Sequence, residues 1–465
     1  MKKTWIIKLL GLVLAFALIA APVTVFASEP PEGAEITDIY SPWAEFDVYM
    51  ASAVYGFGNE GTYSNFRGNL MTEKFAPVYA SLADELDSSA VLDLPLGELV
   101  TRGQLFVALY GLLSGEDATA DEAAGYFASE GLIQGRAAGG YQLDAVCTVE
   151  EMIVMSVRMY EYAVRQAGEG SVGFFWEVRG ANNTVYLLGS IHLGDNAIYP
   201  FSGAIMSAFD RSANLVVEVD IAGLSADDMA YVIAMQLVDI ENGETIADYL
   251  SEDTFELYRI LVEALELPED MYYVKPWAAT LGLTTLLMST GDVEESAAIG
   301  VDMLLLTKAY SMNKNIIELE SAVSQIEMLA SFSRELQERQ LLSILMSVFG
   351  GEGGEPAENE DVDNAELQEA MAMLLDAIRA GDDETFGAIM AAGRATGSED
   401  PLDIEYDTAM WAHRNLGMAE GIARLLDSET NDGGYFVVVG AGHYFGDDSI
   451  IALLLEMGYD VLRVR

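Results

Sequence analysis

The chain has few of the residue types that most often crosslink a protein or carry its chemistry. Its 465 residues include a single cysteine, Cys147, so neither an intrachain disulfide nor a cysteine-based zinc site can form. It has three histidines, and any chemistry that needs an imidazole must use His192, His413 or His443. It also lacks a Gly-x-Ser-x-Gly elbow and a His-Glu-x-x-His helix, which disfavours a serine hydrolase and a zinc-helix protease.

Basic residues are scarce beside acidic ones. Lys and Arg number 23 against 75 Asp and Glu, which gives a formal charge of −52 at pH 7. A surface of this sign repels nucleic acid backbones and anionic lipid, so neither is expected as a partner. The hydrophobic fraction of 51% is ample for a core, and the length corresponds to two or three domains of about 150 residues.

Long apolar runs are absent after the N-terminal segment. There, Lys2, Lys3 and Lys8 precede the run LLGLVLAFALIAAPVTVFA, which ends in small residues before Ser28. This pattern predicts a secretory signal peptide over residues 1–27, with an uncleaved membrane anchor as the alternative. No second run of about 18 apolar residues follows. We therefore expect the mature protein to be secreted or held at the cell surface, without a membrane span.

The remaining chain divides near residue 170. Residues 28–168 show mainly helical patterns, whereas residues 173–465 alternate β-branched runs with amphipathic helices. Residues 350–366 are rich in glycine and acids, which predicts a flexible loop inside the second region. The predicted fold class is α/β, with a central mixed sheet of β-α-β repeats flanked by helices, preceded by a mainly helical N-terminal domain.

The first region contains a weak internal repeat. Three stretches place a threonine before an apolar helix, which predicts helix N-caps at Thr72, Thr101 and Thr148. Glu151 stands three residues after Thr148, as in a capping box. Together with an earlier Trp-Ala pair, these helix starts make residues 36–165 resemble the S-layer homology module. The resemblance implies binding to cell wall polysaccharide, and a helical packing domain without a ligand is the alternative.

The second region repeats a strand–glycine–histidine pattern. The run TVYLLGSIHLGD predicts a strand that ends at Gly189, and His192 follows three residues later. The run YFVVVGAGHYFGDD predicts a strand that ends at Gly440, followed in the same way by His443. A helix and another strand come after each histidine, which predicts two related β-α-β units. Ligand sites in open α/β sheets lie beyond the carboxyl ends of strands, where both histidines are expected.

Carboxylates follow two other predicted strands. The run LVVEVD supplies Glu218 and Asp220, and the run KNIIELES supplies Glu318 and Glu320. Two histidines with one or two carboxylates match a catalytic metal site that keeps an open position. We therefore predict that His192 and His443, with one or two of these carboxylates, bind a divalent metal ion, which would activate a water.

These motifs make residues 173–465 resemble the TraB/GumN/PrgY family, to which the Tiki metalloproteases belong. The two Gly-x-x-His motifs are the family signature, and the family's strand-end acid falls on Glu218. Its Arg-Asn pair falls on Arg414 and Asn415, and the acid of its Leu-Glu-Thr motif falls on Glu320, with Ser replacing Thr. The resemblance runs in the family order through FFWEVRGANNTVYLLGSIHLGDNAIYP, NLVVEVD, YVKPWAATLGL, GVDMLLLTKA, IIELESAVSQIEML, HRNLGMAEGIARLL and YFVVVGAGHYFGDDSIIALLLEMGYDVLRV.

The resemblance implies a metal-dependent, peptidase-like fold related to the erythromycin esterase and ChaN group. It implies Mn, Co or Zn as cofactor and an extracellular peptide as substrate. His192 and His443 would then bind the metal or move a proton, and Glu218 would act as ligand or general base. Glu320 would be a further metal ligand, and Arg414 would stabilise an oxyanion. The alternative for Glu218 and Glu320 is a structural ion pair, for Glu218 with Arg414.

Three functions compete at this stage. The first and expected one is a secreted metal-dependent peptidase or hydrolase. The second is a non-catalytic protein that sequesters an extracellular peptide or ion, and the third is a wall-associated structural protein. Asp195 and Asp302 are expected only as turn or helix caps, and His413 only as a helix residue.

Overall fold

The structure, a computed structural model, describes residues 40–59, 61–133, 140–288, 293–349, 365–394, 397–430 and 433–465. The predicted signal peptide at 1–27 and most of the predicted loop at 350–366 lie outside these ranges. The chain forms two compact units. The helical unit comprises the described residues up to 170 together with 199–203, and the α/β unit comprises 171–198 and the described residues from 204 onward.

The helical unit is built from short and medium helices. Its described residues form α1 (Glu45–Tyr49), α2 (Thr72–Glu85), α3 (Arg102–Ser114), α4 (Ala120–Ser129) and α5 (Val149–Ala167).

Two of the three predicted N-caps in this unit are confirmed. The Thr101 hydroxyl accepts a hydrogen bond from the backbone N–H of Gln104 at the start of α3. The Thr148 hydroxyl accepts one from the N–H of Glu151 at the start of α5. In both cases the side chain of the third helical residue accepts a hydrogen bond from the backbone N–H of the threonine. This completes a capping box, which satisfies two amides that the helix cannot pair.

The prediction of an N-cap at Thr72 is wrong, and a ring of backbone hydrogen bonds explains why. The N–H of Leu70 donates to the carbonyl of Cys147 at 2.7 Å, that of Cys147 to Val100 at 2.9 Å, and that of Val100 to Leu70 at 2.9 Å. In this closed ring Leu70 is the counterpart of the residues that precede the two capping threonines. Met71 therefore occupies the N-cap position of α2, and Thr72 lies inside the helix.

Replacing Thr148 with alanine should destabilise α5 by about 1 kcal/mol, because amides at the helix start lose their side-chain acceptor. Hydrogen–deuterium exchange of peptides covering α5 would show this as protection reduced about fivefold. Thr148→Ser keeps the hydroxyl and should leave protection unchanged. Equal protection in Thr148→Ala and the wild type would contradict the prediction.

The described part of the α/β unit contains six strands. They are β1 (Phe175–Arg179), β2 (Thr184–Ser190), β3 (Asn214–Val217), β4 (Asn315–Glu318), β5 (Tyr435–Gly440) and β6 (Asp460–Val464). They form one sheet in the order β4-β3-β5-β2-β1-β6, in which β1 pairs antiparallel with β2 and β6 and the other neighbours pair in parallel. The predicted fold class, an α/β fold with a mixed central sheet after a helical N-terminal region, is confirmed.

Helices fill the connections between these strands. Within the described ranges they are α6 (Gly203–Arg211), α7 (Ala226–Gln236), α8 (Glu252–Ala264), α9 (Pro276–Met288), α10 (Val293–Ala298), α11 (Val301–Ser311), α12 (Ala322–Ala330), α13 (Arg334–Val348), α14 (Ala365–Ala380), α15 (Asp383–Gly393), α16 (Pro401–Asp407), α17 (His413–Asp427) and α18 (Ile450–Glu456). The predicted β-α-β units are confirmed as β2-α6-β3 and β5-α18-β6. Across the described part of the chain, no helix has both the length and the apolarity to cross a membrane.

The central strands bring several chain segments to one edge of the sheet. Every residue of β3 and β5 is buried, as expected for parallel strands packed on both faces. The register pairs Ser190 with Gly440 and Val217 with Val438, so β2, β5 and β3 end at nearly the same level. The residues that follow these three strands therefore emerge side by side.

Candidate functional site

The two histidines of the repeated motif follow neighbouring parallel strands. His192 comes two residues after the end of β2, and His443 lies in a helical turn that directly follows β5. Both side chains are buried, with 4% and 0% of their surface exposed. The strands that carry them are hydrogen-bonded neighbours in register, with Ser190 paired to Gly440. The structure thus brings together the two predicted site histidines.

Glu218 joins this site from the third strand. It is the first residue after β3, and its side chain is 3% exposed. One carboxylate oxygen, Oε1, accepts a hydrogen bond of 2.6 Å from the backbone N–H of Gly440. The same oxygen lies 4.0 Å from Nε2 of His443. Burial raises the pKa of Glu218, and the opposing charge of Arg414 does not cancel that rise.

Arg414, near the start of α17, pairs with two carboxylates. Its Nη2 atom donates to Oε2 of Glu218 and to Oε2 of Glu320, both at 2.7 Å, and its Nε donates to Glu320 at 3.0 Å. Gln325 adds a hydrogen bond of 2.8 Å to Glu320. Arg414 therefore forms the ion pair with Glu218 that was the structural alternative, and it also binds Glu320.

Asp302 contacts His192, although the sequence indicated only a turn cap. Oδ2 of Asp302 lies 2.7 Å from Nδ1 of His192, close enough for the two groups to pair. Ser190 donates a 2.6 Å hydrogen bond to the other oxygen of Asp302. Burial lowers the pKa of His192, but the charge of Asp302, its hydrogen bonding to the imidazole and the charge of Glu218 together outweigh burial, and the pKa is raised overall.

His443 is held by α17 and the segment before it. Its Nδ1 atom lies 2.6 Å from Oδ1 of Asn415, and its ring packs on Trp411 with the ring centroids 5.1 Å apart. Burial and the nearby positive charge of Arg414 lower the pKa of His443 well below its usual value, which favours the neutral imidazole. The two histidines thus have pKa values displaced in opposite directions.

Apart from the two atoms of the Asp302–His192 contact and the amide oxygen of Gln325, three polar atoms at this site are buried without a hydrogen-bond partner. They are Nε2 of His192, Nε2 of His443 and the hydroxyl of Tyr444. Tyr444 was missed from the sequence, because a tyrosine beside a motif histidine has no distinguishing pattern; its ring packs on Trp176 at 5.0 Å. Buried polar atoms are paired in most folded proteins, so these three are available to a bound group.

Other predicted candidates lie outside this cluster. His413 is exposed at the start of α17. Asp195 caps its own turn by accepting from the N–H of Ala197 at 2.8 Å, as expected. Among the residues that the structure describes, no three His, Cys, Asp or Glu side chains are grouped so as to hold a metal ion. Of the four predicted ligands, the two carboxylates are occupied by Arg414, and the two histidines keep an unpartnered Nε2.

A second buried arginine secures the loop after His443. Arg394 donates to Asp448 at 2.7 and 2.8 Å and to Asp407 at 3.0 and 3.2 Å, and its guanidinium lies 5.1 Å from the Trp411 ring centroid. Hydrogen bonding to Arg394 lowers the pKa of Asp448. The pairing thereby links the loop after β5 to the residue that packs on His443.

The Arg394–Asp448 pair should make the free energy of unfolding depend on pH. A lowered folded-state pKa means that Asp448 contributes stability above its unfolded pKa of about 3.9 and loses it as the pH falls through the folded value. Asp448→Asn should lower the free energy of unfolding by about 1 kcal/mol at pH 7. The expected loss is smaller than for a buried ion pair, because the side chain of Asp448 is 36% exposed and water screens its charge. Urea unfolding at pH 7, 5 and 3 should show the difference shrinking at pH 3. Asp447→Asn, at an exposed neighbour, is the control, and a difference that does not change with pH would contradict the prediction.

A known protein family matches most of the α/β unit. The model of the TraB/PrgY/gumN family matches residues 174–463, which is more than half of the chain. The chain belongs to this family.

Its relatives share modest identity. An uncharacterized protein of Treponema pallidum (strain Nichols) is 24% identical over 303 residues, which cover 63% of this chain and 80% of the relative. The uncharacterized protein YbaP of Escherichia coli (strain K12) is 24% identical over 149 residues, 32% of this chain and 52% of YbaP, and YbaP of Shigella flexneri matches to the same extent. No solved structure matches the chain.

Proposed function

We propose that the α/β unit is a hydrolase that cleaves an extracellular peptide at a reaction centre between His192 and His443. One observation carries the proposal. The Nε2 atoms of both histidines are buried and unpartnered beside the Glu218–Arg414 pair, at the carboxyl ends of adjacent parallel strands. Leaving such atoms unpaired is unfavourable, which is typical of a site that a ligand or substrate completes.

Each side chain has a distinct part in this proposal. Asp302 and Asn415 engage Nδ1 of the two histidines, so that Nε2 of each is the atom left to take a proton or to bind a ligand. The hydroxyl of Tyr444 stays protonated and can donate a hydrogen bond, because burial and then the charge of Glu218 keep its pKa well above the ordinary value. Arg414 and the Tyr444 hydroxyl would stabilise negative charge on a carbonyl oxygen under attack.

The proposal includes a divalent ion, Mn, Co or Zn, where the side chains of the site can bind one. The two unpartnered Nε2 atoms fit, because a neutral imidazole is a good ligand for these ions. Glu320 does not fit, because Arg414 and Gln325 hold its carboxylate, whereas Glu218 could offer Oε1, since Arg414 holds only Oε2. When bound, such an ion supplies a water of lowered pKa.

The test is peptide cleavage by the full chain. Purified protein would be stripped with a chelator, supplied with Mn, Co or Zn, and incubated with a peptide mixture read by mass spectrometry. We expect cleavage in the wild type and in His413→Ala, whose histidine is exposed and outside the site, and loss of at least about 100-fold in His192→Ala. Metal content measured on the same samples should fall in His192→Ala alone.

The outcomes separate the alternatives. Cleavage that persists after chelation would show that the hydrolase does not need a metal ion. The metal part of the proposal would then be wrong, and the hydrolase itself would be supported. Peptide binding without any cleavage, in folded protein and with every ion, would overturn the hydrolase and favour the non-catalytic sequestering protein.

We also propose that the chain is exported and that the helical unit attaches it to cell wall polysaccharide. The closed ring of three helix starts and the 53% exposed Trp43 support this proposal. Sedimentation of the full chain with wall fragments should retain the wild type and the Leu96→Ala control, which alters another exposed apolar residue of this unit, and should retain Trp43→Ala several-fold less. Equal retention of both variants would contradict the attachment. Export predicts that the mature protein is found outside the cell and begins at Ser28.

A further inference from the structure

Asn415 connects His443 to the loop that follows it. Its side chain is completely buried on α17, one residue after Arg414. Successive residues of a helix point about 100° apart, so Arg414 reaches Glu218 while Asn415 faces the other side of the site. Nδ2 of Asn415 lies 2.9 Å from the backbone carbonyl oxygen of Asp448, and Oδ1 lies 2.6 Å from Nδ1 of His443.

These two contacts fix the direction of both hydrogen bonds. A backbone carbonyl oxygen can only accept, so the end of the amide that faces Asp448 must be the NH₂ group. The amide oxygen then faces His443, and because this oxygen also only accepts, Nδ1 of His443 must carry the proton. The assignment begins at a main-chain atom whose chemical identity is certain, so it does not depend on a choice of amide orientation.

The other ring nitrogen is determined by elimination. A neutral imidazole carries one N–H, so Nε2 of His443 holds a lone pair. Nε2 is buried, has no partner and lies 4.0 Å from Oε1 of Glu218, which is itself an acceptor. Two acceptors that face one another in a buried site suit an occupant that is a cation or that brings an N–H or O–H, and they repel an anion.

We infer that Asn415 is a positioning residue that holds His443 in the Nδ1–H tautomer and so directs the Nε2 lone pair at the reaction centre. The Trp411 ring also packs against His443, with the ring centroids 5.1 Å apart and the ring planes tilted by 52°. The catalytic consequence rests on the proposed hydrolase, but the tautomer does not.

The small number of histidines makes the tautomer measurable. The full chain labelled with ¹⁵N in histidine should give signals from His192, His413 and His443 only, assigned by replacing His413 and His192 in turn with glutamine. We expect ¹⁵N shifts of His443 that show a protonated Nδ1 and an unprotonated Nε2. A wild-type spectrum with the proton on Nε2 would overturn the inference at once.

Variants then separate positioning from stability. Asn415→Leu removes the acceptor at similar volume and should move His443 toward the Nε2–H tautomer, with kcat reduced about 10- to 100-fold and KM little changed. Asn183→Leu is the matched control: it removes another buried asparagine, one that bonds three backbone carbonyls away from the site, so it should lose stability without changing the His443 signals. If Asn415→Leu does not fold, Asn415→Asp keeps an acceptor at Nδ1 and should retain the Nδ1–H.

The failures are distinguishable. An unchanged tautomer in folded Asn415→Leu overturns the positioning role, even if the chain is an active hydrolase. The expected tautomer change in a chain that cleaves no peptide supports the role of Asn415 and overturns only the proposed function.

Discussion

Replacing Arg414 with methionine is expected to lower the free energy of unfolding by about 3–5 kcal/mol at pH 7, because the substitution leaves two carboxylates without their counter-charge. The side chains of Arg414 and Glu218 are 6% and 3% exposed, so water cannot replace the lost hydrogen bonds to Glu218. Glu320, at 16%, can be partly rehydrated and should contribute less. Urea unfolding of the full chain measures the loss.

The pH dependence and a double variant identify the cause. As the pH falls, protonation of Glu218 removes its uncompensated charge, so the deficit of Arg414→Met should shrink. Adding Glu218→Gln to Arg414→Met should likewise recover part of the stability, since a neutral amide is cheaper to bury than an unpaired carboxylate. Arg424→Met alters an exposed arginine on α17 and should change little. A loss below about 1 kcal/mol for Arg414→Met would mean that the ion pair does little more than satisfy its own desolvation.

The location of the histidines could be predicted from the sequence because the signal is local. The apolar runs that end at Ser190 and Gly440 define where the chain leaves the sheet, within one residue of the predicted strand ends, and parallel strands end on a common edge. His192 and His443 therefore needed no knowledge of the strand order. The same reasoning carried Glu218, which follows β3 directly.

The partner of each carboxylate could not be predicted in this way. Arg414 is separated by 196 residues from Glu218 and by 94 from Glu320, and their contact depends on how α17 packs against the strand ends. Helix periodicity identifies α17 but not the strand it faces. Asp302 is a similar case, because it resembles an ordinary cap until the loop after β2 is packed against the start of α11.

The strand order shows the same division between local and long-range information. The two β-α-β units are local patterns, whereas the insertion of β5 between β3 and β2 is decided by pairing between distant segments. The error at Thr72 is a register error of one residue. A threonine before a helix predicts a cap, but the backbone ring that fixes the start of α2 joins residues from three separate stretches.

Gly194→Ala is expected to separate two loops that touch through their backbones. A Cβ atom at Gly194 would overlap the carbonyl oxygen of Ile299 and lie 2.6 Å from its carbon, and one at Gly300 would lie 2.9 Å from the carbonyl carbon of His192. The N–H of Gly194 also donates to the carbonyl of Ser296 at 2.9 Å. Because the obstructing atoms are main chain, no side-chain rotation can relieve the overlap, and we expect a loss of about 3 kcal/mol in the free energy of unfolding.

The same displacement should impair the site. This loop contact brings Asp302 to His192, and a shift of about 1 Å in a catalytic group can reduce turnover about 100-fold. Gly282→Ala is the matched control, since a Cβ there meets nothing within 4 Å and lies inside α9, where alanine favours the helix. Urea unfolding and hydrogen–deuterium exchange of residues 189–195 would be measured for both variants. If Gly194→Ala lost stability but kept its turnover, the contact between the loops would serve the fold alone, and the Asp302–His192 pair would have to be preserved by the remaining hydrogen bond from Ser190.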